Sequence, residues 1–500
     1  MKLLTRVFWI GCAISVPKLA LAAEVQSSFS VPVGLGYTDN AELKPDDQKR
    51  SDFFWRVAPG LALVAKGPSW NSAINYSYLW EKHSKDGQHN SNQNLNALFR
   101  SEVVDNLFFF DANAAISQVR ENYLGSIGFD SQNLNDVFTW DVRPALRRRF
   151  ANSSRAEFSV SAYGVNGQGS SASNNGLGRQ FKAAYSSGGI IDSLRFDLNA
   201  LDDRFQYDQL PSASAVRDNT VSQSISLRST LTISRKITPY VLYGYENIED
   251  ITLRRQPSDT FWNAGVLWIP SARTRLDANF GKRFFGDTRD ISFNVRARNT
   301  NWNLSYVQDL RTGQQDFLIP SSVAAFNRLN SGLQTIIPDP AQRASFVSAL
   351  LQSQGLPPVS ILATRNYVDK SLSANVSYAS PKSTTLFNIY WRDSDASEVS
   401  LPVAGPVDAG NHVRQQGVNL GWNYRWGINL SSSLNTGYIR EQFPDVSIND
   451  DTVFARMGLN YKMSRHLAAN TELRRIDKTS SDATREYTEN SIVLSLIASF

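Results

Sequence analysis

Apolar and polar residues alternate with a period of two along most of this chain, which is the pattern of strands with one apolar and one wetter face. The last segment shows the alternation most clearly, because serines stand between its apolar residues. Its apolar positions, counted to the carboxyl terminus, are Ile492, Leu494, Leu496, Ala498 and Phe500. We therefore expect a final strand that carries these five side chains on one face and ends on an aromatic residue.

The same alternation recurs throughout the chain. Representative segments are Trp55, Val57, Leu61 and Leu63, then Leu276, Ala278 and Phe280, and later Trp302, Leu304 and Tyr306. Short turns and long polar loops take alternate places between the segments, as in outer-membrane barrels. The pattern predicts an all-β protein, a single transmembrane antiparallel up-and-down β-barrel of about 22 strands, within a range of about 18 to 24.

A soluble propeller or sandwich would also show many short alternating strands. The first residues favour the membrane alternative, because Lys2 and Arg6 precede an apolar run over 7–16 and a small-x-small site at 20–22. We expect a signal peptide at 1–22, cleaved after Ala22, and a barrel over 23–500. Cys12, the only cysteine, lies in that peptide, so thiol chemistry is excluded from the mature chain.

One long segment, 311–365, interrupts the strand pattern and contains two predicted helices. The second helix begins at Asp339 as N-cap with Pro340 at its first position, and it ends at Gly355. Phe346 and Leu350 lie on one of its faces. Such a loop either folds into the barrel as a constriction or forms an external cap, and the sequence leaves both alternatives open.

Charge and aromatic content refine this picture. The formal charge of +5 falls to +2 once Lys2, Arg6 and Lys18 are removed with the peptide, since 51 − 3 − 46 = +2, so no nucleic-acid partner is indicated. The chain holds 11 Trp, 18 Tyr and 27 Phe, which girdles at the two membrane interfaces would accommodate in part. Negative mean hydropathy suits a barrel with a wet lumen.

Strand parity predicts which polar residues face the lumen, because charges at the lipid midplane are costly. The candidates are Arg195, Asp197, Asn199, Arg275, Asp277, Asn279, Arg283, Asn294, Arg296 and Arg298. They form either a self-neutralising hydrated lining or, over 275–298, an arginine cluster that favours acidic sugar chains.

No residue set indicates catalysis, a cofactor or a metal. The four histidines, His83, His89, His412 and His466, are scattered over predicted loops and a turn, with no carboxylate or second histidine expected beside them on a common strand face. We therefore expect a non-catalytic protein.

Several motifs resemble the outer-membrane β-barrel family associated with PEP-CTERM/exosortase systems, which is encoded near exopolysaccharide genes. They are the segments 37–40, 59–60, 262–274, 281–286, 305–306 and 337–340 together with Tyr487. The likeness spans the mature chain and is most specific from Trp262 to Gly286, whereas Gln308 stands where that family has an acidic residue. The terminal strand also resembles those that the barrel assembly machinery recognises in outer-membrane proteins.

This resemblance implies a channel or scaffold in the outer membrane of a Gram-negative bacterium, associated with exopolysaccharide export or PEP-CTERM protein sorting. Its implied partners are outer-membrane lipid, the barrel assembly machinery and polysaccharide export proteins. Two alternatives remain at this point: a general diffusion porin, and a plugged barrel with a surface-binding or structural role.

Overall fold

The computed structural model describes residues 24–85, 89–120, 122, 124–126, 128, 133–167, 175–188, 193–208, 219–250, 258–311, 366–396 and 411–500. The predicted signal peptide lies outside these ranges. So do the helices of the 311–365 segment, with Asp339, Pro340, Phe346, Leu350 and Gly355. None of the helices in the described ranges is long and apolar enough to cross a membrane.

The fold is one antiparallel sheet made of 23 strand segments. In chain order they are β1 Glu24–Thr38, β2 Asp52–Val57, β3 Gly60–Lys66, β4 Trp70–His83, β5 His89–Val104, β6 Phe108–Arg120, β7 Leu134–Arg149, β8 Arg155–Gly167, β9 Gly176–Ser186, β10 Leu194–Tyr207, β11 Asn219–Leu231, β12 Ile237–Glu249, β13 Ser258–Ser271, β14 Thr274–Arg283, β15 Gly286–Arg296, β16 Thr300–Arg311, β17 Tyr367–Ala379, β18 Ser383–Asp395, β19 His412–Arg425, β20 Leu430–Phe443, β21 Ile448–Lys462, β22 Leu467–Ser480 and β23 Tyr487–Ser499. Short 3-10 turns occur at Asp46–Gln48, Pro444–Val446 and Ala483–Arg485.

Segments β2 and β3 are two halves of one strand. Both pair with β1 on one side and with β4 on the other, and only Ala58 and Pro59 separate them. Proline cannot donate a ladder hydrogen bond. The break is nevertheless bridged, because Ala58 N donates to Pro32 O at 2.9 Å and Tyr78 N donates to Pro59 O at 3.0 Å. The barrel therefore has 22 strands, which confirms the predicted fold class and strand number.

The first and last strands pair with each other and close the sheet. The seam runs from Ser30 opposite Ser499 to Thr38 opposite Ser491. Phe29 N donates to Phe500 O at 3.1 Å and Phe500 N to Phe29 O at 2.8 Å, so the pairing reaches the last residue. The strand pairing therefore continues around the whole barrel and leaves no open edge between β1 and β23, as a membrane-spanning sheet requires.

The barrel has two different rims. Glu24 and Phe500 lie at one of them, the short-turn rim, where turns such as 67–69, 105–107 and 272–273 join consecutive strands. The other, the long-loop rim, carries the connections 39–51, 121–133, 312–366 and 396–411. The expected alternation of short turns and long loops is not strict. At the long-loop rim only the four residues 444–447 join β20 to β21, and Phe284 and Phe285 alone join β14 to β15. These two rings pack on Ile248, Leu310 and Val368 instead of extending outward.

The outer wall is apolar, and aromatic side chains lie towards both rims. Exposed aromatic residues near the short-turn rim include Phe29, Phe158, Trp268, Trp302, Tyr378, Tyr461 and Phe500, and those towards the long-loop rim include Tyr37, Phe53, Trp55, Tyr243, Tyr245 and Trp262. The predicted terminal pattern lies on this wall: Ile492, Leu494 and Leu496 pair with Tyr37, Leu35 and Val33 on the same face, and Ala498 pairs with Val31. The wall is suited to contact with lipid.

Candidate functional site: the lumen and its outer mouth

The register places the predicted lumen residues on one inner face. On β10, Arg195, Asp197 and Asn199 alternate with Leu198, which is exposed on the outer wall. On β14 and β15, residues Arg275, Asp277, Asn279, Arg283, Asn294 and Arg296 share the face opposite to Leu276, Phe280 and Phe293. Arg298 lies in the turn 297–299 beyond β15, so strand alternation does not assign it to the lumen.

Most of these arginines have acidic neighbours. Arg195 Nε lies 3.1 Å from Asp197 Oδ2, and Arg275 Nη2 lies 3.7 Å from Asp277 Oδ2, in both cases along one strand. These side chains are half exposed, so each pair contributes little to stability. Their main effect is to cancel charge locally, as in the self-neutralising lining that the sequence allows.

Arg283 lies at the other end of β14 and is held by two carboxylates. Its Nε donates to Glu246 Oε2 at 3.1 Å, and its Nη1 donates to Asp309 Oδ1 at 2.6 Å. Eight residues of strand separate Arg283 from Arg275, or roughly 26 Å at the usual rise. The residues from 275 to 298 thus do not form one arginine cluster; they divide between the two rims.

The inner wall is not uniformly polar. Near the long-loop rim, six inward side chains from β6, β7, β8 and β10 form a buried apolar cluster: Val119, Val137, Tyr163, Val165, Phe205 and Tyr207. The sequence-based expectation of a wet lumen is wrong for this region. Parity identifies which residues face inward, but here the inward residues pack against one another.

Glycines make room for the inward rings. Tyr163 and Phe205 stack at 6.0 Å across β9, and a Cβ on Gly178 would come within 2.1 Å of the Tyr163 ring. The Tyr163 hydroxyl donates to Asp203 Oδ1 at 2.6 Å, and Gln180 Nε2 donates to Asp203 Oδ2 at 3.1 Å. Each buried polar atom of this unit therefore has a partner.

The connection 39–51 folds into the mouth. Asn40 is fully buried and fixes the start of this loop, since its Nδ2 donates to Lys44 O at 2.7 Å and to Thr488 O at 3.1 Å. Leu43, at φ 51°, packs on the inward residues Ile439, Phe454, Ile476 and Tyr487 of β20 to β23. Next to it, a hydrogen bond from Lys44 lowers the pKa of Glu42, which lies in the loop.

The described residues of the connection 121–133, which follows β6, also contribute to the mouth. Leu124 packs on the cluster of Val413 and Phe443. Its carbonyl oxygen accepts a hydrogen bond from Arg485 Nη1, which lies in the β22–β23 connection. Gly128 lies against the side chain of Leu43, so the two loops also meet each other.

An ion pair spans the same mouth beneath these loops. Arg120, the last residue of β6, donates from Nη1 to Glu441 Oε2 of β20 at 2.9 Å. The two strands are not neighbours: the shorter path between them along the sheet passes through β21, β22, β23, β1, β2 with β3, β4 and β5. Gln415 Nε2 donates to the second oxygen, Glu441 Oε1, at 2.9 Å. Both charged side chains are buried, and we call this pair with Leu43 and Leu124 the mouth latch.

Two histidines have carboxylate neighbours, contrary to the sequence-based expectation. His83 Nε2 lies 3.3 Å from Glu81 on the same face of β4 and His83 Nδ1 lies 3.5 Å from Asp52, while His412 Nε2 lies 2.8 Å from Asp393. The contacts with Asp52 and Asp393 depend on register between strands, whereas Glu81 and His83 lie two residues apart on β4 and their pairing was overlooked. In the part of the chain that the structure covers, no group of three or more His, Cys, Asp or Glu is arranged to hold a metal ion.

The latch residues were also missed by the sequence analysis. Leu43 and Leu124 lie in predicted loops, outside any periodic segment, and Arg120 and Glu441 are 321 positions apart. A leucine within a loop was the available signal, and that signal does not identify the partner. Strand parity in β20 places the Glu441 side chain on the inner face, but it does not indicate that Arg120 lies opposite to it.

Comparison with known proteins supports the barrel assignment. Residues 405–500 match the family model described as "Putative beta-barrel porin 2". No curated protein matches the chain. The match covers the last fifth of the chain, from within the β18–β19 connection to the end of β23, and it is what this part of the barrel is similar to.

Solved structures with a similar barrel include the siderophore receptor PirA from Pseudomonas aeruginosa, at 7% identity and TM-score 0.46 over 95% of this chain and 80% of that one. The FrpB iron transporter from Neisseria meningitidis matches at 10% identity and TM-score 0.48, over 95% and 81% of the two chains. The ferric-catecholate import receptor Fiu from E. coli matches at 9% identity and TM-score 0.48, over 95% of this chain and 82% of that one. The fold assignment rests on the closed sheet itself.

Proposed function

We propose that this porin-like barrel is a non-catalytic gated channel of the Gram-negative outer membrane, through which an extended polymer leaves the cell. The mouth latch is the observation that carries this proposal. It joins distant strands at the long-loop rim through Leu43 and Leu124 of two loops and one buried ion pair between β6 and β20. Because these contacts are made by side chains and not by the backbone hydrogen bonds that close the sheet, the mouth can open while the barrel stays intact.

The direction of transport follows from the usual topology of outer-membrane barrels, in which short turns face the periplasm and long loops face outside. The latch then closes the external end. A signal peptide at 1–22 would direct the chain into the export pathway and would then be removed by cleavage after Ala22. Mass spectrometry of the purified protein measures its N-terminus and tests this cleavage.

The polymer that we assign to the channel is exopolysaccharide, with a place in a PEP-CTERM/exosortase system. This step rests on the motif resemblance between Trp262 and Gly286 and on the polar, charge-compensated wall between β10 and β16. Barrel assembly machinery and polysaccharide export proteins are the partners that this role requires.

Single-channel conductance in planar bilayers tests the gate. We compare the chain, refolded without residues 1–22, with the variant Arg120→Ala/Leu124→Ser. The matched control is Arg149→Ala/Leu107→Ser, which changes an arginine and a leucine at the short-turn ends of the same region, both exposed. We expect low conductance in the wild type and the control, and large conductance in the latch variant.

Two other outcomes favour other functions. Large conductance in all three proteins would indicate a general diffusion porin. If none of the three proteins conducts, a further variant that lacks residues 314–363 tests whether the segment 311–365 blocks the channel. Conductance only after this deletion would make that segment the constriction, and continued silence would favour a plugged surface-binding or structural barrel.

A further inference from the structure

Five asparagines lie opposite one another on five consecutive strands, from β15 to β19. Each is the direct cross-strand partner of the next, and all five are half-buried. In order around the wall they are Asn294, Asn303, Asn375, Asn388 and Asn419. We call this row the asparagine ladder.

The ladder faces the lumen at the level of the bilayer. Each ladder asparagine has a neighbour in sequence whose side chain points to the outer face. These five neighbours are also cross-strand partners of one another, and all of them are apolar: Phe293, Leu304, Ala374, Ile389 and Val418. Strands lie about 4.8 Å apart, so the ladder is roughly 19 Å long from the first amide to the last.

A row of hydroxyl groups accompanies the amides, two residues away from them on four of the five strands, and Gly417 stands at the corresponding position of β19. Ser292, Ser305, Ser373 and Tyr390 are consecutive cross-strand partners and share the inner face. None of the residues in either row is charged. At one end Arg275 lies opposite Asn294 beside Asp277, and at the other end Gly437 leaves the space that the Asn419 side chain occupies.

The amides do not saturate one another. Asn303 Nδ2 donates to Asn294 Oδ1 at 2.7 Å, and Asn388 Nδ2 donates to Asn375 Oδ1 at 2.7 Å. An amide carries two donor hydrogens and an acceptor with two lone pairs, so each pair leaves capacity unused. Among the residues that the structure covers, the buried oxygens Asn303 Oδ1 and Asn419 Oδ1 have no hydrogen-bond partner, and such orphan acceptors call for an explanation.

We propose that the asparagine ladder is the binding track for a neutral, hydroxyl-rich carbohydrate chain inside the lumen. Every sugar hydroxyl both donates and accepts, and alternating amide donors and acceptors match that chemistry without any charge. Amides repeat along the ladder at a spacing comparable to the length of one pyranose unit, so an extended chain can exchange one set of partners for the next as it moves. This deepens the proposed export function and rests on it.

Titration calorimetry with the detergent-solubilised chain tests the track without requiring an open mouth. The probes are maltohexaose, an oligogalacturonate of equal length, and a neutral Gly/Ser peptide. We compare the wild type with Asn303→Ala/Asn388→Ala, and the matched control is Asn75→Ala/Asn96→Ala, an opposed inward pair on β4 and β5 that belongs to no ladder. Retained folding is verified for each variant by its heat-dependent mobility shift in electrophoresis.

We expect maltohexaose to bind the wild type and the control equally, and its Kd to rise about tenfold in the ladder variant, since several hydrogen bonds are lost. Asn303→Asp/Asn388→Asp keeps the side-chain volume but removes donors, and we expect a similar loss. Equal binding by the wild type and both ladder variants would overturn the proposal, as would absence of maltohexaose binding to the wild type. Tighter binding of the oligogalacturonate or of the peptide would overturn the neutral-carbohydrate assignment.

Calorimetry separates this inference from the function on which it rests. Binding that depends on the ladder, combined with silent bilayers for every latch variant, would support a carbohydrate site in a barrel that does not conduct. If the latch variant changes the conductance but no saccharide binds, the proposed gate is supported and the proposed carbohydrate site at the asparagine ladder is refuted.

Discussion

Arg120 Nη1 lies 2.9 Å from Glu441 Oε2, across the mouth of the barrel and between two strands that are not neighbours in the sheet. Both side chains are buried, so neither charge is solvated when its partner is removed. The pair therefore fixes the distance between two distant strands more strongly than an exposed ion pair would.

Replacing Arg120 by Ala alone should open the mouth. The loss leaves the Glu441 carboxylate with Gln415 as its remaining side-chain partner, and breaking a buried pair in this way costs roughly 3–5 kcal/mol. The open probability in planar bilayers measures the effect. Adding Glu441→Gln to Arg120→Ala removes the unpaired charge, so we expect it to restore part of the closed population. An open probability equal to that of the wild type in both variants would contradict the role of this ion pair in closing the mouth.

Replacing Gly178 by Ala should destabilise the barrel locally. Its methyl group would lie 2.1 Å from the Tyr163 ring, so the ring must move and give up its hydrogen bond to Asp203. Overpacking of this kind costs about 1–3 kcal/mol, measured by urea unfolding in detergent or lipid. Gly427→Ala is the control, because nothing lies within 4 Å of that Cβ position.

A second substitution distinguishes crowding from other causes. Tyr163→Ala in the Gly178→Ala background removes the clash, so the cost of the glycine substitution should become smaller than in the parent chain. If the two costs simply add, the ring and the glycine are independent, and the packing explanation is wrong.

Arg283→Ala should lower the free energy of unfolding by roughly 3–5 kcal/mol, because Glu246 is buried and loses its charged partner. Arg296→Ala should leave stability within about 0.5 kcal/mol, since Arg296 is exposed near the opposite rim. Urea denaturation of both variants gives this comparison. Reversal potentials measured on the same proteins test the arginine-cluster hypothesis, which expects an equal loss of anion preference from the two substitutions.

Phe500→Ala should reduce the amount of folded protein in the outer membrane. The Phe500 ring lies 6.3 Å from that of Phe29 and 6.5 Å from that of His466, and it is exposed on the outer wall. Immunoblots of membrane fractions measure the level. Ser499→Ala is the control, and equal levels for both variants would argue against recognition of the terminal ring by the assembly machinery.

Strand alternation was sufficient to predict the class of fold and the number of strands, because the period of two follows from backbone geometry alone. It also placed Arg195, Asp197 and Asn199 on the inner face. The expectation of a wet lumen failed at Tyr163 and Phe205, which point inward but are buried. Strand parity indicates which way a side chain points, but it does not indicate whether water or other side chains surround it there.

The site depends on contacts that no local pattern records. Glu81 and His83 are two residues apart and parity could have paired them, but Asp52 reaches His83 only through the pairing of β2 with β4. The asparagine ladder is equally hidden: each member is one polar residue in an alternating strand, and the row exists only after five strands are set in register.

The seam between β1 and β23 also constrains how the protein is made. The backbone partners of Phe29 belong to Phe500, 471 positions later in the sequence, so β1 keeps an unpaired edge until β23 is in place. Until then the nascent sheet has two unpaired edges, and such edges readily associate with other chains. A chain that lacked β23 would leave the edges of β1 and β22 exposed, and the barrel could not close.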